Sequence, residues 1–277
     1  MTAPAFVRED LSQRTGLSKS ALTTADMCGQ KAWLEIHHRA PFVRNPDVTF
    51  GSCVDAGAEL AIRYARAGQE PELDRMLEAS EQVQERDGIE VHPEEVELAL
   101  TRFVADVLPT RDWSQARTQV HLHVPLFGWG EVDGHPDVIL PGEVDDVKTS
   151  KRSKDTARTV ELGLYGLMVE EETGEPVTQV GYVTWVRRVR TPAWEWTVAE
   201  FTDELRIWTR ERVSAYVRAV RADELLNRHA AEPVNWSFPA GPRNGGLCAS
   251  CQYNPQFNPP RPCAQAVIEP LPAGGNE

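Results

Sequence analysis

The 277-residue chain is 41% hydrophobic and 26% charged, enough to bury a substantial core, so one large folded domain is expected and disorder is not. Its formal net charge of -13 excludes a general polyanion binder, because phosphate affinity comes largely from neutralising Lys and Arg, and leaves room only for a local nucleic-acid patch. No apolar run approaches the length of about eighteen residues that a membrane helix needs, and the start MTAPAFVREDL has no basic-then-apolar leader, so a soluble cytoplasmic protein without membrane contact is expected.

Leu22, Met27, Trp33 and Leu34 follow Ser candidates for an N-cap along roughly one face and predict one helix over about 20–37, with Cys28 in its middle. GSCVDAGAELAIRYARAG, from Gly51, predicts a second helix. PEEVELALTRFVADVL predicts a third, with Pro93 in the favoured first turn and acidic residues behind it. From Thr118 the period falls to two, and about 120–126, 132–140 and 143–149 read as strands joined by tight turns. Helix returns over about 155–171. VTQVGYVTWVRRV and PAWEWTV predict a strand pair, and a long helix over about 202–229 carries Leu205, Trp208, Val213, Tyr216 and Val220 on an apolar stripe. The tail from Pro233 is rich in Pro, Gly and Asn and holds three Cys, so its order is expected to depend on something other than an apolar core. This order gives a single mixed α/β domain over 1–277: a helical N-terminal part at about 20–110, a core at about 118–200, and a C-terminal helix and Cys-rich tail at 201–277.

The stretch GHPDVILPGEVDDVKTSK crowds Asp137, Asp145, Asp146 and Lys148 into one hairpin. With Pro141-Gly142 as the loop, Leu140 faces Glu143, Val138 faces Asp145 and Asp137 faces Asp146. Pro-Gly favours a type II turn over the primed turns common in two-residue hairpins, which leaves a shifted register or a bulge open. Alternation puts Val144, Asp146 and Lys148 on one face and Glu143, Asp145 and Val147 on the other. Adjacent carboxylates raise each other's pKa unless a cation sits between them. A divalent metal resolves the repulsion; hard oxygen ligands suit Mg²⁺ or Mn²⁺, and a nearby ammonium can orient a metal-bound water. That is the chemistry of phosphodiester cleavage. Lys is scarce, five residues against twenty-four Arg, and three of the five, Lys148, Lys151 and Lys154, cluster here.

These residues resemble the PD-(D/E)XK nuclease superfamily, with Pro136-Asp137 as one half of its motif and Asp146-Val147-Lys148 as the other. The resemblance implies a restriction-endonuclease-like core, a mixed central sheet flanked by helices, and a metal-dependent deoxyribonuclease. RecB-like members carry a Gln-x-x-x-Tyr pair on the following helix; Glu161 and Tyr165 stand at that spacing, with Glu in place of Gln. Gly51-Ser-Cys-Val-Asp55 matches the spacing of an upstream Gly-x-x-x-His motif but supplies Asp, a carboxylate able to replace imidazole toward a hard metal. The implied metal set is Asp55, Asp137 and Asp146, with Lys148, Glu161 and Tyr165 completing the catalytic group.

Five Cys in a reducing compartment point to metal ligands or buried thiols. Cys248 and Cys251 have metal-ligand spacing, Cys263 follows, and Cys28 lies far upstream. This layout resembles the iron-sulfur nucleases of the RecB-like branch, including AddB-type subunits and CRISPR-adaptation exonucleases of the Cas-four type. It implies a structural [4Fe-4S] cluster on these four Cys that staples the tail to Cys28, with Zn²⁺ as the alternative on the same thiolates. Cys53 reads as a small buried residue.

Lys151, Arg152, Lys154 and Arg158, with Arg187, Arg188 and Arg190, could track a phosphate backbone, and Trp185 could stack on bases, although sheet packing is favoured for Trp185, Trp194 and Trp196. The resemblance implies DNA, single-stranded or processed from a free end, and partners in recombination, repair or CRISPR adaptation. The other expectation is a non-catalytic, iron-sulfur- or zinc-stapled DNA-binding or assembly subunit.

Overall fold

The computed structural model describes residues 17–38, 44–126, 128, 130–154, 157–187 and 190–227; Cys248, Cys251, Cys263, Arg188 and the expected tail lie outside them. In chain order the elements are α1 (Lys19–Met27), α2 (Gly29–His38), α3 (Pro46–Arg66), α4 (Leu73–Asp87), α5 (Pro93–Arg102), β1 (Arg117–Thr118), β2 (Leu122–Pro125), β3 (Glu131–Gly134), β4 (Val138–Leu140), β5 (Glu143–Ser150), α6 (Val160–Thr173), β6 (Gln179–Val186), β7 (Ala193–Glu200) and α7 (Asp203–Asn227). The described residues fall into two compact units, one up to residue 38 together with those from 211, the other from 44 to 210.

In the first unit, Ser18 caps α1 by accepting from the Ala21 N–H at 3.2 Å. The single helix expected over 20–37 is two helices. Cys28 is extended, at φ -161° and ψ 103°, and stands at the break rather than mid-helix. Its N–H donates to the Thr24 carbonyl at 2.8 Å and its carbonyl accepts from Ala32 at 3.1 Å, so one residue ends α1 and begins α2 with its backbone groups satisfied. Ala32, Trp33 and Leu34 pack with Tyr216, Ala219 and Val220 of α7, and Trp33 Nε1 donates to Asp223 Oδ1 at 2.8 Å.

The second unit is a mixed α/β layer structure. Five of its strands form a sheet in the order β1-β4-β5-β6-β7, antiparallel throughout except for the parallel pair β5 and β6. A parallel pair needs a crossover, and α6 supplies it. Val147, Val183, Trp185 and Trp194 bury one sheet face in a core shared with α3, α4 and α5; alternation turns Asp146, Lys148 and Tyr182 to the other face, where Glu161 of α6 meets Lys148 and Tyr182. Three local signals fix the entries. Asn45 caps α3 through the Val48 N–H at 3.0 Å with Pro46 in the first turn, Thr159 caps α6 through Leu162, and Gly142 takes the positive φ, 76°, of a Pro-Gly type II turn. The observed register, Leu140 with Glu143 and Val138 with Asp145, is the one counted outward from that turn.

Two elements depart from expectation. The strand expected over 132–140 is two strands: β3 pairs in a hairpin with β2, β4 joins the main sheet, and His135, Pro136 and Asp137 pass between them. Pro136 lacks the N–H that continuous pairing would use. Helix α4 has no expected counterpart, because only Met76, Ser80 and Val83 are buried along an otherwise charged segment, too sparse a stripe to register as periodic. No helix among the described residues is long and apolar enough to cross a membrane.

α6 lies close to the start of α7 because Gly163 has no side chain; a Cβ there would meet Thr209 Oγ1 at 2.1 Å. Gly163→Ala is therefore expected to lower the free energy of unfolding by about 1–3 kcal/mol, outweighing a helix-propensity gain of about 1 kcal/mol. Urea denaturation checks this, and adding Thr209→Ala should recover most of the loss.

Candidate active site

The site is built on an edge that β4 leaves open. β4 ends at Val138, opposite Asp145, while β5 runs on beside β6 to Ser150. Beyond that point the Val147 N–H has no strand to donate to, and the Asp137 carboxylate takes it at 2.8 Å. The segment that carries Asp137 is held at two points: the Asp137 carbonyl accepts from the Gln119 N–H at 3.1 Å, and Tyr165 Oη donates to the His135 carbonyl at 2.9 Å.

Asp146 and Lys148 project from β5 onto the α6 side. Asp146 is 1% exposed, and the Lys148 ammonium contacts its Oδ2 and lies 3.8 Å from Glu161 Oε1. Glu161 is fixed in turn by Tyr182 Oη, which donates to its Oε2 at 3.0 Å and lies 2.9 Å from Thr159 Oγ1. Asp145 points to the opposite face, as alternation requires, and there contacts Arg111, which also holds Glu143 at 2.8 Å. Asp55 reaches the edge from α3. Gln119 Nε2 bridges Asp55 Oδ2 and Asp137 Oδ1, at 3.2 Å from each. The motif glycine Gly51 lets α3 approach β5, since a Cβ there would sit 2.9 Å from Thr149 Oγ1.

The electrostatics follow from burying these groups together. Burial pushes the Asp55 carboxyl up to about 6; Asp146 and Glu59 push the same way, while Lys148 and Gln119 oppose. Asp137 is raised as well, by burial first and by the charge of Asp55 second, with Lys148 and a hydrogen bond from Asp146 working against the rise. Burial disfavours the Lys148 charge, yet Asp146, Asp137 and Glu161 together hold it protonated far above the ordinary lysine range. Tyr165 is raised by burial and then by Asp146, which keeps its hydroxyl a donor. Asp145 is raised to about 6 by burial, with Arg111 opposing. One ammonium thus serves three carboxylates, Asp137, Asp146 and Glu161.

Carboxylate oxygens are the donor type that hard cations take. Their present disposition is set by the cationic and amide hydrogens among them: among the described residues, no three His, Cys, Asp or Glu side chains stand grouped to hold a metal ion. Asp146 turns to Lys148, and Asp55 and Asp137 turn to Gln119.

Sequence reasoning passed over Gln119, Tyr182 and Arg111. Gln119 follows the two-residue strand β1 and adopts φ 48°, which no side-chain pattern signals; the alternation that selects Asp146 also selects its parallel partner Tyr182. The basic residues are more occupied than their charge suggests. Lys151 and Arg187 both pair with Asp47, Arg187 also with Glu95, and Lys154 lies 4.9 Å over the Tyr182 ring. Arg152 is exposed. Trp185 and Trp194, at 2% and 8% exposure, pack in the sheet core, so Trp185 is not available to stack on bases. Cys53 is fully buried, its thiol donating to the Ser80 carbonyl at 3.3 Å and pushed up to about 11 by burial.

No family model matches the chain, and no curated protein matches it. Among solved structures, that of SSO0001 aligns with 81% of this chain and 91% of its own at 16% identity and a TM-score of 0.32, a likeness that carries no argument about fold or function.

Because Tyr165 ties down the approach to Asp137, Tyr165→Phe leaves the His135 carbonyl without its donor. The expected cost is about 1–2 kcal/mol, read by urea denaturation; an unchanged midpoint would mean the contact contributes nothing to holding this segment.

Proposed function

We propose that the protein is a metal-dependent DNA exonuclease with a PD-(D/E)XK core of RecB-like type, acting on single-stranded or free DNA ends in recombination, repair or CRISPR adaptation. One observation carries the reading: Asp137, Asp146 and Lys148 converge at the open edge of β5, with Asp55 of α3 and Glu161 of α6 beside them. Asp55, Asp137 and Asp146 would hold Mg²⁺ or Mn²⁺, which when bound supplies charge neutralisation at phosphate and a more acidic water. The chain's own groups have separate tasks. A lysine held this firmly protonated is a donor and a positive charge, not a general base, so Lys148 orients a water or a phosphate oxygen by donating to it. Glu161, braced by Tyr182, sets the position of the ammonium. Tyr165 holds the segment that carries Asp137. Arg152, exposed beyond β5, with Lys151 and Lys154, would contact the DNA backbone. Cys28 at the α1–α2 break, with Cys248, Cys251 and Cys263, would bind a structural [4Fe-4S] cluster, or Zn²⁺ in its place.

A second reading, a non-catalytic stapled DNA-binding or assembly subunit, draws on one specific observation: the carboxylates are turned to Lys148 and Gln119 rather than grouped as ligands among the described residues.

The discriminating assay uses anaerobically purified full-length protein, Mn²⁺ and end-labelled single-stranded DNA. Wild type is expected to shorten the DNA from its ends. Lys148→Ala and Asp146→Asn should each reduce the rate by at least about 10²-fold, whereas Asp145→Asn, altered on the opposite face, should retain cleavage. DNA left intact by wild type contradicts the nuclease reading, and cleavage of end-blocked DNA contradicts the exonuclease part of it. Iron and sulfide in a brown sample support the cluster; a colourless, zinc-loaded sample contradicts it.

A further inference from the structure

Gln119 is the sole described non-glycine residue at positive φ, a conformation that Cβ-bearing residues avoid and that persists when the surroundings over-determine it. The surroundings do so here. Immediately after Thr118 pairs with Val138, the Gln119 N–H donates to the Asp137 carbonyl at 3.1 Å. The same residue's Nε2 then lies 3.2 Å from Asp137 Oδ1, 3.2 Å from Asp55 Oδ2 and 3.4 Å from Asp55 Oδ1. One residue therefore grips Asp137 through both backbone and side chain, and presents the positive edge of a carboxamide to two half-buried carboxylates that repel each other. The opposite amide orientation would set Oε1 against the same carboxylate oxygens, so charge fixes which end points inward.

We infer that Gln119 is an internal stand-in for the divalent cation: its amide hydrogens occupy the space between Asp55 and Asp137, hold the two carboxylates together until a cation arrives, and must be displaced when one binds there. The inference rests on the reading of Asp55 and Asp137 as cation ligands. It assigns Gln119 as a positioning residue that lowers cation affinity, so the site loads only when cation binding outcompetes two charge-assisted hydrogen bonds.

The test measures Mn²⁺ binding to full-length protein without DNA, by the paramagnetic resonance signal of free Mn²⁺, and is therefore independent of cleavage. Gln119→Gly removes the amide and takes the positive φ without strain. Gln119→Asn also tolerates this conformation and is one methylene shorter, too short to span both carboxylates. Both variants are expected to bind Mn²⁺ more tightly than wild type, by on the order of tenfold, and Asp137→Asn is expected to lose the site. If wild type binds Mn²⁺ and loses it with Asp137→Asn, but the two Gln119 variants bind no more tightly, the stand-in role is overturned while the cation site stands. If wild type binds no Mn²⁺, the cation-site reading is overturned, and this inference falls with it.

Discussion

The Val147 amide is the constraint from which the site follows. Strand β5 is central in the sheet, but β4 covers only its beginning, and a buried N–H must find an acceptor. A backbone carbonyl would have continued the sheet; a carboxylate at 2.8 Å replaces it. That substitution stops β4, places Asp137 beside Asp146, and leaves a gap into which both flanking layers can project. Asp55 from α3 and Glu161 from α6 approach from opposite sides of the sheet, Asp55 toward Asp137 through Gln119 and Glu161 toward Lys148.

Holding so many carboxylates together costs free energy, and the fold offsets it with few positive groups. The Lys148 ammonium feels Asp146, Asp137 and Glu161 together. Arg111 is committed on the other face to Asp145 and Glu143, so it does not relieve the crowding around Lys148. Asp145 is paired with Arg111 yet raised by burial, and at the open edge Asp55 and Asp137 are raised by burial and by neighbouring carboxylates.

Much of this was legible in the sequence, for a physical reason in each case. A period of two fixes faces whatever the register of the Pro-Gly hairpin, so Asp146 and Lys148 could be separated from Asp145 in the sequence, while the register counted outward from the turn is the one observed. The i, i+4 spacing placed Glu161 and Tyr165 on one side of α6, although their partners, Lys148 and Tyr182 for one and the His135 carbonyl for the other, are tertiary. What escaped depends on backbone events without a side-chain pattern: the break at Cys28, the passage through Pro136 between two sheets, and the left-handed turn of Gln119. Charge counting also did not reveal that Lys151 and Arg187 pair with Asp47, because a basic residue reads the same in sequence whatever its partner.

The central claim is that the open edge of β5 is a cation site, and the direct measurement is the anomalous scattering of Mn²⁺ in crystals of the full-length protein. The account predicts a peak in contact with the carboxylates of Asp137 and Asp146, and none there in Asp146→Asn crystals. A peak confined to other surfaces, or no peak at millimolar Mn²⁺, would contradict it.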